Sequence, residues 1–459
     1  MADAGRGVEM AVEKREFRRR LRAIERYFFR RPHANIVMAA RIGGSISADQ
    51  LTLALSKVRQ RHLLLRVRIS LDEDNIAWFT PEGVPEFSVQ IVQRTTDDHW
   101  MRTVVEEHKI CFPLDKGPLA RFVLLRSPEV SDLIVNCHHT ISDGLSLAYL
   151  IRDILVHLGD PGREVETLPV PPLVDRDHIP ASASINPLQR TMIQIISKIW
   201  ERKRISFSED DYRHLHQTFW KENTSSLLAW GLTASQTAAF VSRCRREEVT
   251  VHSALCAAFL AAQSDVQGNS PAYLHTVSMP VSIRDRLTNP VGEAVGLYFS
   301  SFKIQLEYVP GQSFWSNARR IHRETRRRLT EKNIFAVQQQ LDSLHPSLVD
   351  SFFFSRYGLL DDGFAAGILR MTGDDRINTG LDISNLGRVH YPEDFGPLRL
   401  EAIYGPSNYS DFQEKYLGIM TVGGKMSFTL TYGESFVEAS TVEQVKDTAM
   451  KCLGEAVGW

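Results

Sequence analysis

Two adjacent histidines, followed by an aspartate and a glycine, are the residues of this sequence best suited to chemistry. His138 and His139 end an apolar run, and Asp143 and Gly144 follow within five residues. An imidazole titrates near neutral pH, so one of them could take a proton from a bound nucleophile as a general base. The same pattern also fits a satisfied core histidine with Ser142 or Asp143 merely capping a helix.

The surrounding sequence predicts a strand, a sharp polar turn and a helix that would position these residues. Side chains alternate along a strand, so His138 and His139 should point to opposite faces. After the turn, apolar residues recur at helical spacing as far as Leu158, and Gly159 is typical of a helix end. Diverging imidazoles do not share a metal, and the sequence contains no HExxH or CxxC pattern, so we expect no metal site.

A nucleophilic serine is the other chemistry that this turn could support. Gly144, Ser146 and Ala148 approach the GxSxG pattern of serine hydrolases. In those enzymes the serine lies on the tight turn itself, whereas Ser146 falls inside the predicted helix. This position argues against a serine nucleophile.

His138, His139, Asp143 and Gly144 complete the pattern HHxxxDG. This pattern resembles the signature of the chloramphenicol-acetyltransferase-like superfamily of acyltransferases. The superfamily includes plant BAHD acyltransferases, nonribosomal peptide condensation domains and mycobacterial polyketide-associated acyltransferases. The chain is most similar in character to the free-standing polyketide-associated acyltransferases.

Further motifs follow in the order that the resemblance implies. Arg61, His62 and Arg66 resemble the RHxxLR element of condensation domains, where we expect His62 and Arg66 to be structural. The segment 281–287 resembles the VDxRxRL element of BAHD enzymes, with Ser282 in place of the aspartate. Late in the chain, Ser384, Asn385 and Gly387 resemble an SNxG segment, and Asp394, Phe395 and Gly396 match the start of DFGWG, where Pro397 and Leu398 replace its last two residues.

The resemblance implies a fold and roles for these residues. The fold would be mixed α/β, with two similar lobes arranged as a V around a channel. His139 would be the general base, while Asp143 would pair with Arg284 and shape the loop together with Gly144 and His138. Ser384 and Asn385 are candidates for oxyanion or substrate contacts.

The favoured function is transfer of an acyl group from acyl-CoA or an acyl carrier protein to a hydroxyl of a small acceptor. No covalent acyl-enzyme and no bound cofactor are expected, because the thioester is a co-substrate. The alternatives are an amide-forming condensation enzyme, a noncatalytic recruitment domain of a polyketide or nonribosomal peptide synthase, and a thioester hydrolase. The intact motif argues against the noncatalytic alternative.

Composition and charge limit the class of protein. The 459 residues include 43% hydrophobic and 24% charged side chains, which is typical of a soluble globular chain. A net charge of −1 gives the chain as a whole no electrostatic reason to bind nucleic acid. Five scattered cysteines, no signal-like start and no apolar run of about 20 residues predict a cytoplasmic monomer without a membrane span.

Length and proline content predict the domain organisation. A chain of this length fits two domains of about 200 residues. We place the first lobe at residues 1–165, a proline-marked linker at 166–222 and the second lobe at 223–459. Two arginine-rich helices are expected, over residues 9–31 and 313–330. Each should have a solvated basic face, with a carrier protein, anionic lipid or CoA phosphate as the alternative partner.

Overall fold

The computed structural model describes residues 17–172, 174, 178–183, 186–392 and 394–459. Its strands are β1 (Arg19–Arg20), β2 (Asn35–Gly43), β3 (Arg68–Leu71), β4 (Ala77–Thr80), β5 (Val89–Gln93), β6 (Ala120–Arg126), β7 (Val130–His138), β8 (Ser225–Leu232), β9 (Thr276–Ser282), β10 (Phe299–Gln305), β11 (Thr379–Arg388), β12 (Asp394–Phe395), β13 (Leu398–Ser407), β14 (Gln413–Val422) and β15 (Lys425–Gly433).

Helices alternate with these strands along the chain. They are α1 (Ala23–Phe29), α2 (Ala48–Arg61), α3 (His99–His108), α4 (Gly144–Gly159), α5 (Pro187–Glu201), α6 (Glu209–Glu222), α7 (Ala234–Arg246), α8 (Val251–Gln267), α9 (Phe314–Arg328), α10 (Glu331–Leu341), α11 (Pro346–Arg356), α12 (Gly363–Thr372) and α13 (Ala439–Val457). The described strands form two six-stranded sheets and one three-stranded sheet. The mixed α/β prediction is therefore confirmed.

The first sheet has the strand order β12-β13-β2-β7-β6-β5. β6 and β7 form an antiparallel hairpin, with Ala120 opposite Cys137. Helix α4 follows β7 after a short turn, and its apolar residues Leu147, Leu150 and Ile151 are fully buried in the core of this lobe. The predicted strand, turn and helix are thus confirmed as the elements that carry the histidines.

The second sheet has the strand order β10-β9-β11-β14-β15-β8. One face packs with α8, α9 and α13 in a second core that includes Val277, Leu381 and Leu417. Helix α7 begins with a capping box formed by Thr233 and Gln236. Helix α8 is buried along most of its length, as its nearly uniform apolar sequence predicts.

One strand joins the sheet of the opposite lobe. β13 lies far along the chain, yet it pairs antiparallel with β2, from Arg399 opposite Gly43 to Ser407 opposite Val37. Residues 394–407 therefore belong to the first sheet, whereas the sequence analysis assigned all of 223–459 to the second lobe. Local strand propensity does not reveal which sheet a strand joins, so this exchange was not foreseen.

The prediction of a basic helix over residues 9–31 is wrong for the residues that the structure describes. Residues 9–16 lie outside them, β1 occupies two residues, and the helix spans only Ala23–Phe29. Its basic face is not solvated, because Arg19 and Arg22 form buried ion pairs with Glu25 and Arg26 pairs with Asp350 of α11. Helical periodicity shows where charges lie on a helix but not the acidic partners that neutralise them.

The remaining helices differ in how well the sequence predicted them. Helix α9 carries the second basic segment, and Arg327 and Arg328 are exposed as predicted. Helices α10, α11 and α12 were not predicted. No single described helix is long and apolar enough to cross a bilayer; one pair, Ala234–Arg246 and Val251–Gln267, meets that requirement only together and is bent by 100° at its break.

Candidate active site

A cavity of about 280 Å³ lies between the two lobes. The first lobe contributes Phe28, Ile36 and His139, and the second sheet contributes Phe299 and Ser384 among others. Because both lobes line it, a molecule in the cavity would contact both at once.

His139 is held in one orientation and one tautomer. It follows the last residue of β7, and its backbone N–H donates to the carbonyl oxygen of Ala34 at 2.6 Å. Its ring Nδ1 lies 2.7 Å from the carbonyl oxygen of Ser142. A carbonyl only accepts, so Nδ1 carries the proton and Nε2 holds the basic lone pair.

Two phenylalanines enclose the His139 ring. The ring centroids of Phe28 and Phe299 lie 4.3 Å and 5.1 Å from that of His139. Burial lowers the pKa of His139 below its ordinary value, although the Ser142 carbonyl and the negative charge of Asp143 oppose that effect. The imidazole is therefore neutral at physiological pH, which is the form that a general base requires.

His138 points away from this cavity, as strand alternation predicts. It is fully buried in the first lobe, with the ring of Phe112 edge-on at 5.8 Å and Nδ1 bonded to the hydroxyl of Thr140. Burial, together with the neighbouring His139 and His216, lowers its pKa to about 3. His138 therefore faces the core of the first lobe in its neutral form, which agrees with the structural role expected for it.

Asp143 caps helix α4 and also binds the second lobe. Its Oδ1 accepts from the backbone N–H of Ser146 at 2.7 Å and from Nη2 of Arg284 at 3.2 Å, while Oδ2 accepts from the backbone N–H of Tyr298 at 2.8 Å. Burial alone would raise the pKa of this carboxyl. The charge of Arg284 and the two backbone donors outweigh burial and lower the pKa below its ordinary value.

Arg284 donates hydrogen bonds to several acceptors besides the carboxylate of Asp143. Nη1 donates to the carbonyl oxygens of Gly292 and Ala294 at 2.7 and 3.0 Å, and Nη2 donates to the hydroxyl of Ser146 at 2.6 Å. That hydroxyl in turn donates to the carbonyl oxygen of Gly296 at 2.6 Å. The expected pairing of Asp143 with Arg284 is present, and so is the helix cap that Asp143 forms at Ser146. One hydrogen-bond network therefore joins the turn to segment 292–298.

His62 adds a second link to that segment. Its Nε2 lies 2.9 Å from Asp153 Oδ2, and its Nδ1 accepts from the backbone N–H of Val295 at 3.3 Å. The side chain is buried beneath α4. This placement agrees with the structural role expected for His62.

Gly144 is needed because neighbouring side chains approach its Cα closely. A Cβ at this position would lie 3.0 Å from Cδ2 of Leu386 and 3.1 Å from Cγ of Pro406. Both contacts are tighter than ordinary van der Waals packing. A larger residue would push the turn away from β11 and β13.

Ser384 and Asn385 both line the cavity. The Oδ1 atom of Asn385 accepts from the backbone N–H of Gly387 at 2.9 Å, which leaves its amide N–H groups as donors. Ser384 is buried and interacts with the hydroxyl of Tyr416. Their role as oxyanion donors stays a prediction.

Sequence reasoning missed the aromatic residues around His139 and the backbone donors to Asp143. Phe28 was not predicted to contact His139, and β10, which carries Phe299, was not predicted at all. A histidine flanked by rings that are 271 positions apart (299 − 28) leaves no local signal. Among the described residues, no group of three or more His, Cys, Asp or Glu side chains is arranged to hold a metal ion.

Residues 15–335 match the family described as Condensation domain. The chain belongs to this family. One curated relative is the hybrid PKS-NRPS synthetase LUC5 of Fusarium sp, which is 28% identical to this chain over 27% of this chain's length. The polyketide synthase-nonribosomal peptide synthetase of Aspergillus clavatus is 32% identical over 26% of this chain. Each match spans only 3% of the relative's own length.

Solved structures of similar fold cover nearly the whole condensation-domain chain. The trichothecene 15-O-acetyltransferase TRI3 of Fusarium sporotrichioides has a TM-score of 0.65 and 13% identity, over 96% of this chain and 95% of that one. The first condensation domain of the calcium-dependent antibiotic synthetase has a TM-score of 0.63 and 15% identity, over 96% of each chain. At such identities the likeness shows the fold alone, which is the two-lobed fold of condensation domains and chloramphenicol-acetyltransferase-like enzymes.

Proposed function

We propose that this chain transfers an acyl group from a thioester, either acyl-CoA or an acyl carrier protein, to a hydroxyl of a small acceptor. The observation that carries the proposal is the state of His139. It is a neutral imidazole whose Nδ1–H group donates to the backbone carbonyl oxygen of Ser142. The ring lines a cavity to which both lobes contribute. Such a ring can serve a proton transfer without a metal ion or an enzyme-bound nucleophile.

His139 alone can carry out both proton transfers that the reaction requires. Nε2 of His139 takes the proton of the acceptor hydroxyl as its oxygen attacks the thioester carbonyl carbon. The tetrahedral intermediate then collapses, the carbon–sulfur bond breaks, and the imidazolium returns the proton to the leaving thiolate. Donors from Ser384 and Asn385 would stabilise the oxyanion, which requires N–H or O–H groups already aimed at it. Asp143 and Arg284 take no part in the chemistry, because they are occupied in holding the turn.

Amide formation is the second candidate. It is favoured by the family match and by the relatives' names, which describe nonribosomal peptide synthetases. In that case the acceptor would be an amine, and a synthase would present one or both substrates. A carrier-protein donor is supported in both cases by the polyketide and peptide synthetases among the relatives. The proton transfer at His139 would be the same.

Product analysis separates the candidates. The full chain is incubated with a panel of acyl-CoA and acyl-pantetheine thioesters, together with alcohols, with amines or with neither, and the products are identified by mass spectrometry. Esters support the proposal, and amides support the condensation alternative. Free acid in the absence of any acceptor indicates a hydrolase. No turnover above that of His139→Ala would indicate a noncatalytic recruitment domain.

A further inference from the structure

One face of the second sheet forms the floor of the cavity. Across β10, β9, β11 and β14, Lys303 lies opposite Ser278, Ser278 opposite Asp382, and Asp382 opposite Tyr416. All of them line the cavity. These residues therefore form one polar row across neighbouring strands, which we call the distal row.

The distal row lies further along β10 than the residue of this strand that contacts His139. Phe299, at the start of β10, stacks on the His139 ring at 5.1 Å. Lys303 is four residues further along the same strand, which corresponds to about 13 Å at 3.3 Å per residue. The floor therefore changes from aromatic beside the general base to polar at its far end.

Asp382 is the residue of the distal row whose bonding is incomplete. It is only 8% exposed, and its Oδ1 has no hydrogen-bond partner among the described residues. Burial raises its pKa to about 7, although the hydroxyl of Ser278 and the charge of Lys303 oppose that rise. A buried carboxyl oxygen without a hydrogen-bond partner destabilises the chain. Asp382 also lines the cavity, so a bound molecule that contacts this residue could supply the missing hydrogen bond.

The charges around Asp382 indicate what kind of group fits there. Lys303 donates to Asn378 at 2.6 Å and lies within electrostatic range of Asp374, Asp382 and Arg31. Arg31, Lys303, Asp374 and Asp382 all line the cavity, and the pKa of about 7 means that Asp382 is present in both its ionised and its protonated form near neutral pH. A hydroxyl group can donate to the ionised carboxyl or accept from the protonated one, whereas an ammonium can only donate and a carboxylate can only accept.

We infer that the distal row is a binding subsite for a hydroxyl group that one of the two substrates carries at a position away from its reacting carbon. This inference rests on the proposed acyl transfer, and it narrows the substrate class from any alcohol or acyl thioester to one with a polar far end. The same hydroxyl could belong to the acceptor or to the acyl chain. The experiment has one arm for each source.

Binding is measured by calorimetry in the His139→Ala variant of the full chain, so that no turnover disturbs it. The acceptor arm compares 1,6-hexanediol, 1,8-octanediol and 1,10-decanediol with the 1-alkanols of equal length. The donor arm compares ω-hydroxyacyl-CoA with acyl-CoA at the same three chain lengths. We expect one arm to show a preference of about tenfold for the hydroxylated member at one of these lengths, the size of one good hydrogen bond. The arm that shows it identifies the substrate that reaches the distal row. Equal affinities within every pair of both arms would overturn the inference.

Substitutions then locate the preference. In the same background, Asp382→Leu should abolish it, whereas Asp382→Asn, which keeps an acceptor oxygen, should retain part of it. Asp447→Leu, at an exposed acid of α13, is the matched control and should leave the preference intact. A preference that survives Asp382→Leu in a folded protein would contradict the assignment. The comparison of ligand pairs needs no change at Asp382, so it decides the inference even if that variant does not fold.

The two proposals fail in distinguishable ways. Binding to the His139→Ala variant does not depend on chemistry. A hydroxyl preference without any acyl-transfer product from the unsubstituted chain would keep the subsite and reject the proposed function. Acyl-transfer products without a hydroxyl preference would keep the proposed function and reject the subsite.

Discussion

Arg284 of the second lobe donates from Nη2 to Oδ1 of Asp143 over 3.2 Å, and both side chains are buried. The same carboxylate caps α4 and accepts the backbone N–H of Tyr298. The catalytic turn is thus fixed from both lobes, and the stability of the turn is coupled to the contact between them.

The first prediction concerns this coupling. Asp143→Ala and Arg284→Ala should each destabilise the chain by about 3 to 5 kcal/mol, because each leaves a buried charge unpaired. The double variant should lose less than the sum of the two. A double-mutant cycle in urea unfolding measures the interaction energy. Asp143→Asn removes the charge and keeps one acceptor oxygen for one of the two backbone N–H groups, so it is the control that should lose less than Asp143→Ala. An interaction energy of zero would show that Asp143 is only a helix cap.

The second prediction compares the two histidines. His139→Ala should reduce turnover roughly 100- to 10,000-fold, the usual contribution of a positioned general base, with little change in melting temperature. His138→Ala should cost less turnover, because its ring faces Phe112 rather than the cavity. Steady-state kinetics and thermal unfolding on both variants make the comparison. Equal losses of turnover in the two variants would reject the assignment of His139.

The third prediction concerns the pH dependence of activity. Neutral His139 is the active form, and burial lowers its pKa. The acid limb of kcat/KM should therefore lie below the ordinary histidine value of about 6.5, and activity should be lost as the pH falls through it. EDTA should have no effect. An acid limb above that value, or reversible loss of activity with a chelator, would contradict this mechanism.

The fourth prediction concerns stability in mild acid. Burial is the main cause that lowers the pKa of His138 to about 3 and those of His108 and His216 to about 4. The unfolded chain binds protons at these residues from about pH 6.5 downward, whereas the folded chain does not. Stability should therefore rise with pH between about 4 and 6.5, by up to about 1.4 kcal/mol per pH unit for each histidine.

Urea unfolding at pH 5.5 and pH 7.5 tests that prediction. His216→Gln should make the dependence on pH less steep, since it removes one of the groups that titrate only on unfolding. Arg327→Gln, on the exposed face of α9, is the control and should leave the slope unchanged. A stability that is constant between the two pH values would show that these histidines titrate alike in the folded and unfolded chains, and would contradict their lowered pKa values.

The parts of the fold and site that could be predicted from sequence are those with local causes. The strand, turn and helix around His139 follow from apolar spacing and from the capping chemistry of Asp143. The pairing of Asp143 with Arg284 came from a family resemblance rather than from spacing, and the geometry agrees with it.

Contacts between distant segments could not be predicted. Arg26 looked like part of a solvated face because Asp350, its partner in α11, is 324 positions away. The incomplete bonding of Asp382 likewise depends on the register of three strands, which the sequence alone does not set.

The insertion of β13 between β12 and β2 has a consequence for how the chain is made. β2 pairs with β13, which is synthesised more than 350 residues later. The β2 edge of the first sheet therefore stays unpaired until most of the second lobe has been synthesised. An unpaired edge strand is a template for association with other chains, and chaperones would have to cover it during synthesis. A fragment that stops at residue 335, where the family match ends, should therefore aggregate, while the full chain should not.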